Sequence, residues 1–167
     1  MGCNTLSQYA HIALPPTVTL LPLFLYGTLR DPDILATVLG RTVSDRNLVA
    51  ATAPDCAAVY FPDRFYPALV QRTGSAAPGL LLTEATTDDL AALDAFEGDE
   101  YWRGPITVTT ADGALLADAY LPTLAIPADA APWTLEDWTR DHKAQMLAGE
   151  LATAEQLRQR LLGRFTT

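Results

Sequence analysis

Residues 20–40 read LLPLFLYGTLRDPDILATVLG, and within this stretch the hydrophobic pattern changes its period. From Leu20 to Tyr26 the side chains are apolar without alternation, as in a strand buried on both faces, with Pro22 marking an irregular start. Gly27 stops the run, and Gly27–Arg30 reads as a short loop. Asp31 is a good helix N-cap, with Pro32 at the first helical position, where its missing N–H costs nothing. Ile34, Leu35, Val38 and Leu39 then recur at helical spacing and give one apolar face, which Gly40 can close.

Downstream the chain turns strand-like. From about Leu48 to Glu84 the runs Ala57–Phe61, Ala68–Gln71 and Gly79–Thr83 are separated by proline, aspartate and glycine. A second helix starts at Thr86 or Thr87, where Thr86 and Asp89 have capping-box spacing, and it ends at Gly98. Asp112-Gly113 between Ile106–Thr110 and Leu115–Leu121 is the strongest hairpin signal in the sequence. Pro122–Pro132 is a connector, and Thr134 with Asp137 and Thr153 with Gln156 mark the starts of two C-terminal helices. This order predicts an α+β fold with about six or seven strands and flanking helices. A small mixed β-barrel would hide the strand edges, although the pattern alone fits an open sheet equally well. The expected layout is an N-terminal extension over 1–17 and a single domain over 18–167, of which 133–167 forms a helical tail.

Composition narrows the function classes. The 167 residues are 49% hydrophobic and 19% charged, a balance that supports a real core. The formal charge of −9 argues against nucleic acid and anionic membrane as partners, since both need a cationic footprint. Two cysteines, Cys3 and Cys56, make no disulfide framework, and His11 and His142 lack metal-ligand spacing, so no metal site is expected. Neither histidine sits in a recognisable nucleophile motif. The apolar stretch from Ile12 to Tyr26 has no basic residue before it and is broken by Pro15, Pro16 and Pro22. It therefore reads neither as a signal peptide nor as a membrane span. Leu6 stands where a myristoylation signal wants serine or threonine. A cytoplasmic location is the expectation.

Two segments stand out chemically. Glu97 lies four residues after Leu93 and seven after Leu90, hence on their helical face and directed inward. Desolvation and the negative end of the helix dipole would both raise its pKa, which suits general acid/base work near neutrality. The same spacing fits a glutamate on a frayed last turn, facing solvent or paired with Arg103. In Tyr26-Gly27-Thr28-Leu29-Arg30, the amides of Gly27, Thr28 and Leu29 precede a helix and could converge on an anion such as a carboxylate. An ordinary strand-to-helix connection would have the same sequence, and no Walker-type phosphate loop is present. Asp99 and Glu100 compete with Glu97 on chemistry alone. His142, Trp133 and Trp138 read as helix-packing residues.

FLYGTLR at 24–30, followed some seventy residues later by LDAFEGDEYWR at 93–103, resembles the gamma-glutamylcyclotransferase-like family. That family includes the plant avirulence-induced proteins and the gamma-glutamylamine cyclotransferases. FYPALV at 65–70, PGLLL at 78–82 and VTTADGALLADAYL at 108–121 resemble further strands of the family, so the likeness covers about residues 22–121. The segment from PWTLEDW to about Met146 resembles a helical tail found in some members. The resemblance implies a small β-barrel with the substrate at its mouth. It implies that the amides of Gly27, Thr28 and Leu29 bind the α-carboxylate of a γ-glutamyl small molecule, with Tyr26 shaping the pocket. Glu97 would be the catalytic acid/base in a cyclisation that releases 5-oxoproline and an amine or amino acid, without a cofactor. Arg30, Tyr66, Tyr101 and Arg103 are further pocket candidates, Arg103 more in fixing the Glu97 loop than in meeting substrate. Neither the leaving amine nor the oligomeric state is written in a recognisable motif.

Overall fold

The computed structural model describes residues 19–149 together with Thr153, Gln156 and Gln159. The expected N-terminal extension over 1–17 lies outside the described residues. Five strands form a closed barrel: β1 (Leu23–Leu25), β2 (Leu48–Tyr60), β3 (Pro67–Leu82), β4 (Tyr101–Thr110) and β5 (Gly113–Pro122). Around the barrel the order is β1, β3, β2, β4, β5, and closure comes from the parallel pairing of Leu23 in β1 with Asp118 in β5. The remaining pairs are antiparallel. Helix α1 (Pro32–Leu39) follows β1, α2 (Thr87–Glu97) connects β3 to β4, and α3 (Leu135–Asp141) follows β5. Among the described residues no helix is long and apolar enough to cross a membrane.

The predicted six or seven strands become five because the polar and glycine breaks are bends in long strands. β2 and β3 pair continuously from Leu48 with Leu82 to Tyr60 with Pro67, apart from a bulge between Pro54 and Cys56. Asp55 there takes a φ of 55°, and its carboxylate accepts the N–H of Gly74, whose φ is 84°. A bulge re-aims a strand and increases its twist without ending it, so Ala68–Gln71 and the run from Gly79, which ends at Leu82 rather than Thr83, fall on one strand. Pro78, read as a separator, pairs within the ladder opposite Thr52.

Strand β1 shows why its sequence does not alternate. Leu23 and Leu25 face the helices, packing with Ile34, Val38, Leu93 and Trp138, while Phe24 points into the barrel with Leu69, Leu81 and Val108. Both faces are buried. Five strands enclose a narrow interior, so inward positions take small side chains: Ala51, Ala53, Ala77, Ala117 and Ala119 are all buried there. Gly79 belongs to the same economy of space, since a Cβ at that position would lie 2.4 Å from the carbonyl oxygen of Leu25.

The helix ends follow their sequence signals. Asp31 accepts the N–H groups of Asp33 and Ile34 at 3.0 and 3.2 Å, and Gly40 closes α1 at a φ of 69°. Thr86 and Asp89 exchange both capping-box bonds at 3.0 and 3.1 Å. The β4–β5 hairpin turns through Ala111 and Asp112, one residue earlier than the Asp-Gly pair suggests, because Gly113 pairs with Thr110. Thr134 caps α3 through the N–H of Asp137. Residues 143–149 form a further helical segment, and Thr153 and Gln156, read as a helix start, are both helical. Trp133 and Trp138 are core residues, as their spacing suggests.

Candidate active site

The end of β1 and the turn after it build one wall of a cavity of about 160 Å³. Tyr26, Gly27, Thr28 and Leu29 all line it, and so does Glu97 from the last turn of α2. Thus the two segments singled out in the sequence face one space. Thr28–Arg30 is a single tight helical turn, closed by bonds from the N–H of Arg30 to the carbonyl of Gly27 and from the N–H of Asp31 to that of Thr28. The N–H groups of Gly27, Thr28 and Leu29 take no part in those bonds, as expected of the first donors of a helical turn. Gly27 has a φ of −113°, so no left-handed conformation demands glycine there. The constraint is steric: a Cβ would sit 3.0 Å from Cγ of Pro67 on the facing strand.

Glu97 comes to the cavity because Leu90 and Leu93, on the same face of α2, are buried against the barrel. Gly98, at a φ of 63°, ends the helix immediately after it. The carboxylate has no hydrogen-bond partner among the described residues and is not paired with Arg103. Burial, and secondarily the negative charge of Asp94, push its pKa up to about 8. Some of its surface stays open to the cavity, so water there moderates the desolvation.

The other polar side chains of the cavity are engaged. The hydroxyl of Tyr26 donates to the carbonyl of Tyr120. That of Tyr101 donates to the carbonyl of Pro67 at 2.6 Å, and that of Tyr120 to Asp94 at 2.7 Å. Burial, and then neighbouring charge, raises the pKa of all three phenols. Tyr66 donates to Glu100, whose other oxygen is held by Arg64 at 2.9 Å, and burial with the adjacent carboxylate lifts the Tyr66 pKa to about 12. Among the described residues, Glu97 is therefore the titratable group of the cavity left without a partner. Its sequence competitors differ: Glu100 lines the cavity but is bound on both sides, and Asp99 is exposed outside it.

Of the further pocket candidates, Tyr66 and Tyr101 line the cavity, while Arg30 and Arg103 do not. Arg103 is turned to the outside of β4, where it binds Asp94 at 2.9 Å and Asp118 at 3.4 Å. It holds Asp94, which in turn holds Tyr120. Arg30 is partly buried, and its Nε has no hydrogen-bond partner among the described residues; it stands one residue beyond the turn amides, off the cavity wall. Sequence reasoning missed Phe96, Pro67, Tyr120 and Met146, which complete the lining. Tyr120 had a weak signal, since it alternates with Ala117 and Ala119 in the apolar run Leu115–Leu121; Met146 had none, because helical periodicity does not say what a tail packs against.

A family model described as "Gamma-glutamyl cyclotransferase, AIG2-like" matches residues 23–140. The chain belongs to this family. The match runs from β1 nearly to the end of α3 and includes both the turn after β1 and Glu97. AIG2-like protein A of Arabidopsis thaliana is 32% identical over 127 residues, covering 74% of this chain and 75% of its own length. AIG2-like protein D of the same plant is 30% identical over 145 residues, 84% of this chain and 93% of its own. An Arabidopsis thaliana protein known from a solution structure superposes with a TM-score of 0.60 at 30% identity, over 79% of this chain and 89% of that one. The kinship expected from FLYGTLR and LDAFEGDEYWR is thus found across the barrel and not in those motifs alone.

Proposed function

We propose that this protein is a gamma-glutamyl cyclotransferase that converts the γ-glutamyl group of a small molecule to 5-oxoproline and frees an amine or amino acid. One observation carries the reading: a carboxylate with its pKa near 8, without a partner among the described residues, shares a small cavity with a turn whose first three N–H groups take no part in closing it. The amides of Gly27, Thr28 and Leu29 hold the substrate α-carboxylate. Glu97, ionised, takes a proton from the substrate α-ammonium. The freed amine nitrogen attacks the γ-carbonyl carbon, and a nitrogen–carbon bond closes the five-membered ring. The ring nitrogen gives up its second proton and the tetrahedral centre collapses with cleavage of the bond to the leaving nitrogen; that nitrogen takes up both this proton and the one held by the Glu97 carboxyl, and departs as an ammonium. Glu97 returns to its starting state, and no water is consumed. Because nucleophile and electrophile belong to one molecule, holding them in attack geometry provides much of the acceleration.

The tyrosines shape this cavity without competing as acids, their hydroxyl protons being directed at carbonyls or carboxylates. The test is purified protein incubated with γ-glutamyl-amines, γ-glutamyl-amino acids and glutathione, with 5-oxoproline measured by mass spectrometry. Release of 5-oxoproline from at least one of them, abolished in Glu97→Gln, is expected. Thermal stabilisation by 5-oxoproline or glutamate with no turnover of any substrate would replace the reading with a binding module.

A further inference from the structure

The cavity beside Glu97 is small for a whole substrate. Its volume of about 160 Å³ lies below the roughly 300–1,000 Å³ of small-molecule clefts. Next to it runs a groove of about 590 Å³, between the loop after β2 and the C-terminal helical segment. Two side chains, Tyr66 and Met146, line both spaces and so stand at the boundary between them. Together the two spaces reach the usual cleft size. Arg64, Phe65 and Gln145 give the groove an aromatic wall with polar, hydrogen-bonding edges.

Met146 is held firmly at this junction. One turn before it, Lys143 bridges Asp31 at 2.8 Å and Asp33 at 2.7 Å, both at the start of α1 just beyond the amide turn. His142 stacks on Phe65 with ring centroids 4.0 Å apart, and its carbonyl accepts the N–H of Met146 at 3.1 Å. The segment is thereby tied to both sides of the opening, while the Met146 side chain packs on the apolar core.

We propose that Met146 is a specificity-determining residue: the leaving group passes between Met146 and Tyr66 into the groove, and Met146 sets the width and length it can have. This rests on the cyclotransferase reading and adds to it where the leaving group lies and what class is favoured, namely extended leaving groups with hydrogen-bonding atoms several bonds from the scissile nitrogen.

The experiment compares kcat/KM for a γ-glutamyl series whose leaving groups grow from methylamine to an amino acid and a dipeptide. Met146→Phe is expected to lower kcat/KM for the long leaving groups by about tenfold or more relative to methylamine, the scale of a misfit in a pocket. Met146→Ala is expected to shift the ratio the other way, toward bulkier leaving groups, and keeps the test available if the larger side chain prevents folding. Leu147→Phe, at an exposed neighbour outside both spaces, should leave the ratios unchanged. Equal effects of the Met146 variants on short and long leaving groups, or no effect, overturn the inference and leave the cyclotransferase reading standing. Release of 5-oxoproline from no member of the series by the wild-type protein removes both together.

Discussion

Replacing Glu97 by glutamine should abolish turnover and at the same time stabilise the protein, by an amount that grows with pH. The folded carboxyl has its pKa pushed from 4.5 up to about 8, mainly by burial. An unfolded chain therefore releases this proton first, and between about pH 4.5 and 8 the folded state binds more protons than the unfolded one. Stability must then fall as pH rises through that window, since its slope follows the difference in bound protons. The full rise corresponds to at most about 5 kcal/mol above pH 8, at about 1.4 kcal/mol for each tenfold change in proton affinity. Water in the cavity reduces this, and about 1–3 kcal/mol is the expected loss. Glutamine, neutral and nearly isosteric, escapes it and forfeits no hydrogen bond, because the carboxylate has no partner among the described residues.

The assay is thermal unfolding of wild type and Glu97→Gln from pH 4.5 to 8.5 in matched ionic strength. The difference in Tm should be near zero at pH 4.5 and reach roughly 3–10 °C at pH 8.5, with the variant the more stable. In parallel, kcat/KM of the wild type should rise with pH toward about 8, reporting the ionised base in the free enzyme. A Tm difference that stays flat over the whole range would refute the burial argument for Glu97, whatever the activity.

Asp94→Asn removes the charge that adds to the Glu97 shift, so the acid limb of kcat/KM should move to lower pH while staying above the ordinary carboxylate range, since burial is the larger cause; a pH–rate profile checks this, and an unmoved or upward-shifted limb counts against it. Gly27→Ala places a methyl group 3.0 Å from Pro67 and should lower kcat/KM by about tenfold or more with Tm changed by only a few degrees, measured by kinetics alongside circular dichroism. Trp138→Ala empties a fully buried site beneath α3 and should cost about 3–5 kcal/mol in denaturant unfolding.

The local punctuation of this chain was legible because each signal is a local bond. Asp31 with Pro32, Thr86 with Asp89 and Gly98 act within one turn, and all three end or begin helices where their chemistry requires. The strand count was not legible, since whether Gly74 ends a strand depends on Asp55, nineteen residues earlier, supplying the bond that turns a break into a bulge. At the site, the inward course of Glu97 followed from Leu90 and Leu93. What the sequence left open, frayed turn or pairing with Arg103, was decided by Asp94 and Asp118, which bind Arg103 and keep it from Glu97. Met146 required knowing where the tail lands, and that is fixed by Lys143 reaching α1, 110 residues away in the chain.

What sets one carboxylate apart among twenty acids is the pairing of its neighbours. Asp94 is claimed by Arg103 and Tyr120, Glu100 by Arg64 and Tyr66, Asp89 by Arg41 and the N-terminus of α2, and Asp31 by Lys143 and the N-terminus of α1. Each of those acids has its charge met by the groups it binds. Glu97 has been given no such partner. The fold bears this at a cost of a few kcal/mol, a sizeable part of the roughly 5–15 kcal/mol by which a domain is stable. Glutamine or leucine would fill the same space without that cost, and the proposed function accounts for the carboxylate as a proton acceptor for a substrate that brings its own cation. On the proposed reading, an arriving α-ammonium would supply the missing counter-charge, lower the pKa of Glu97 on binding, and so ionise it only when there is a proton for it to take.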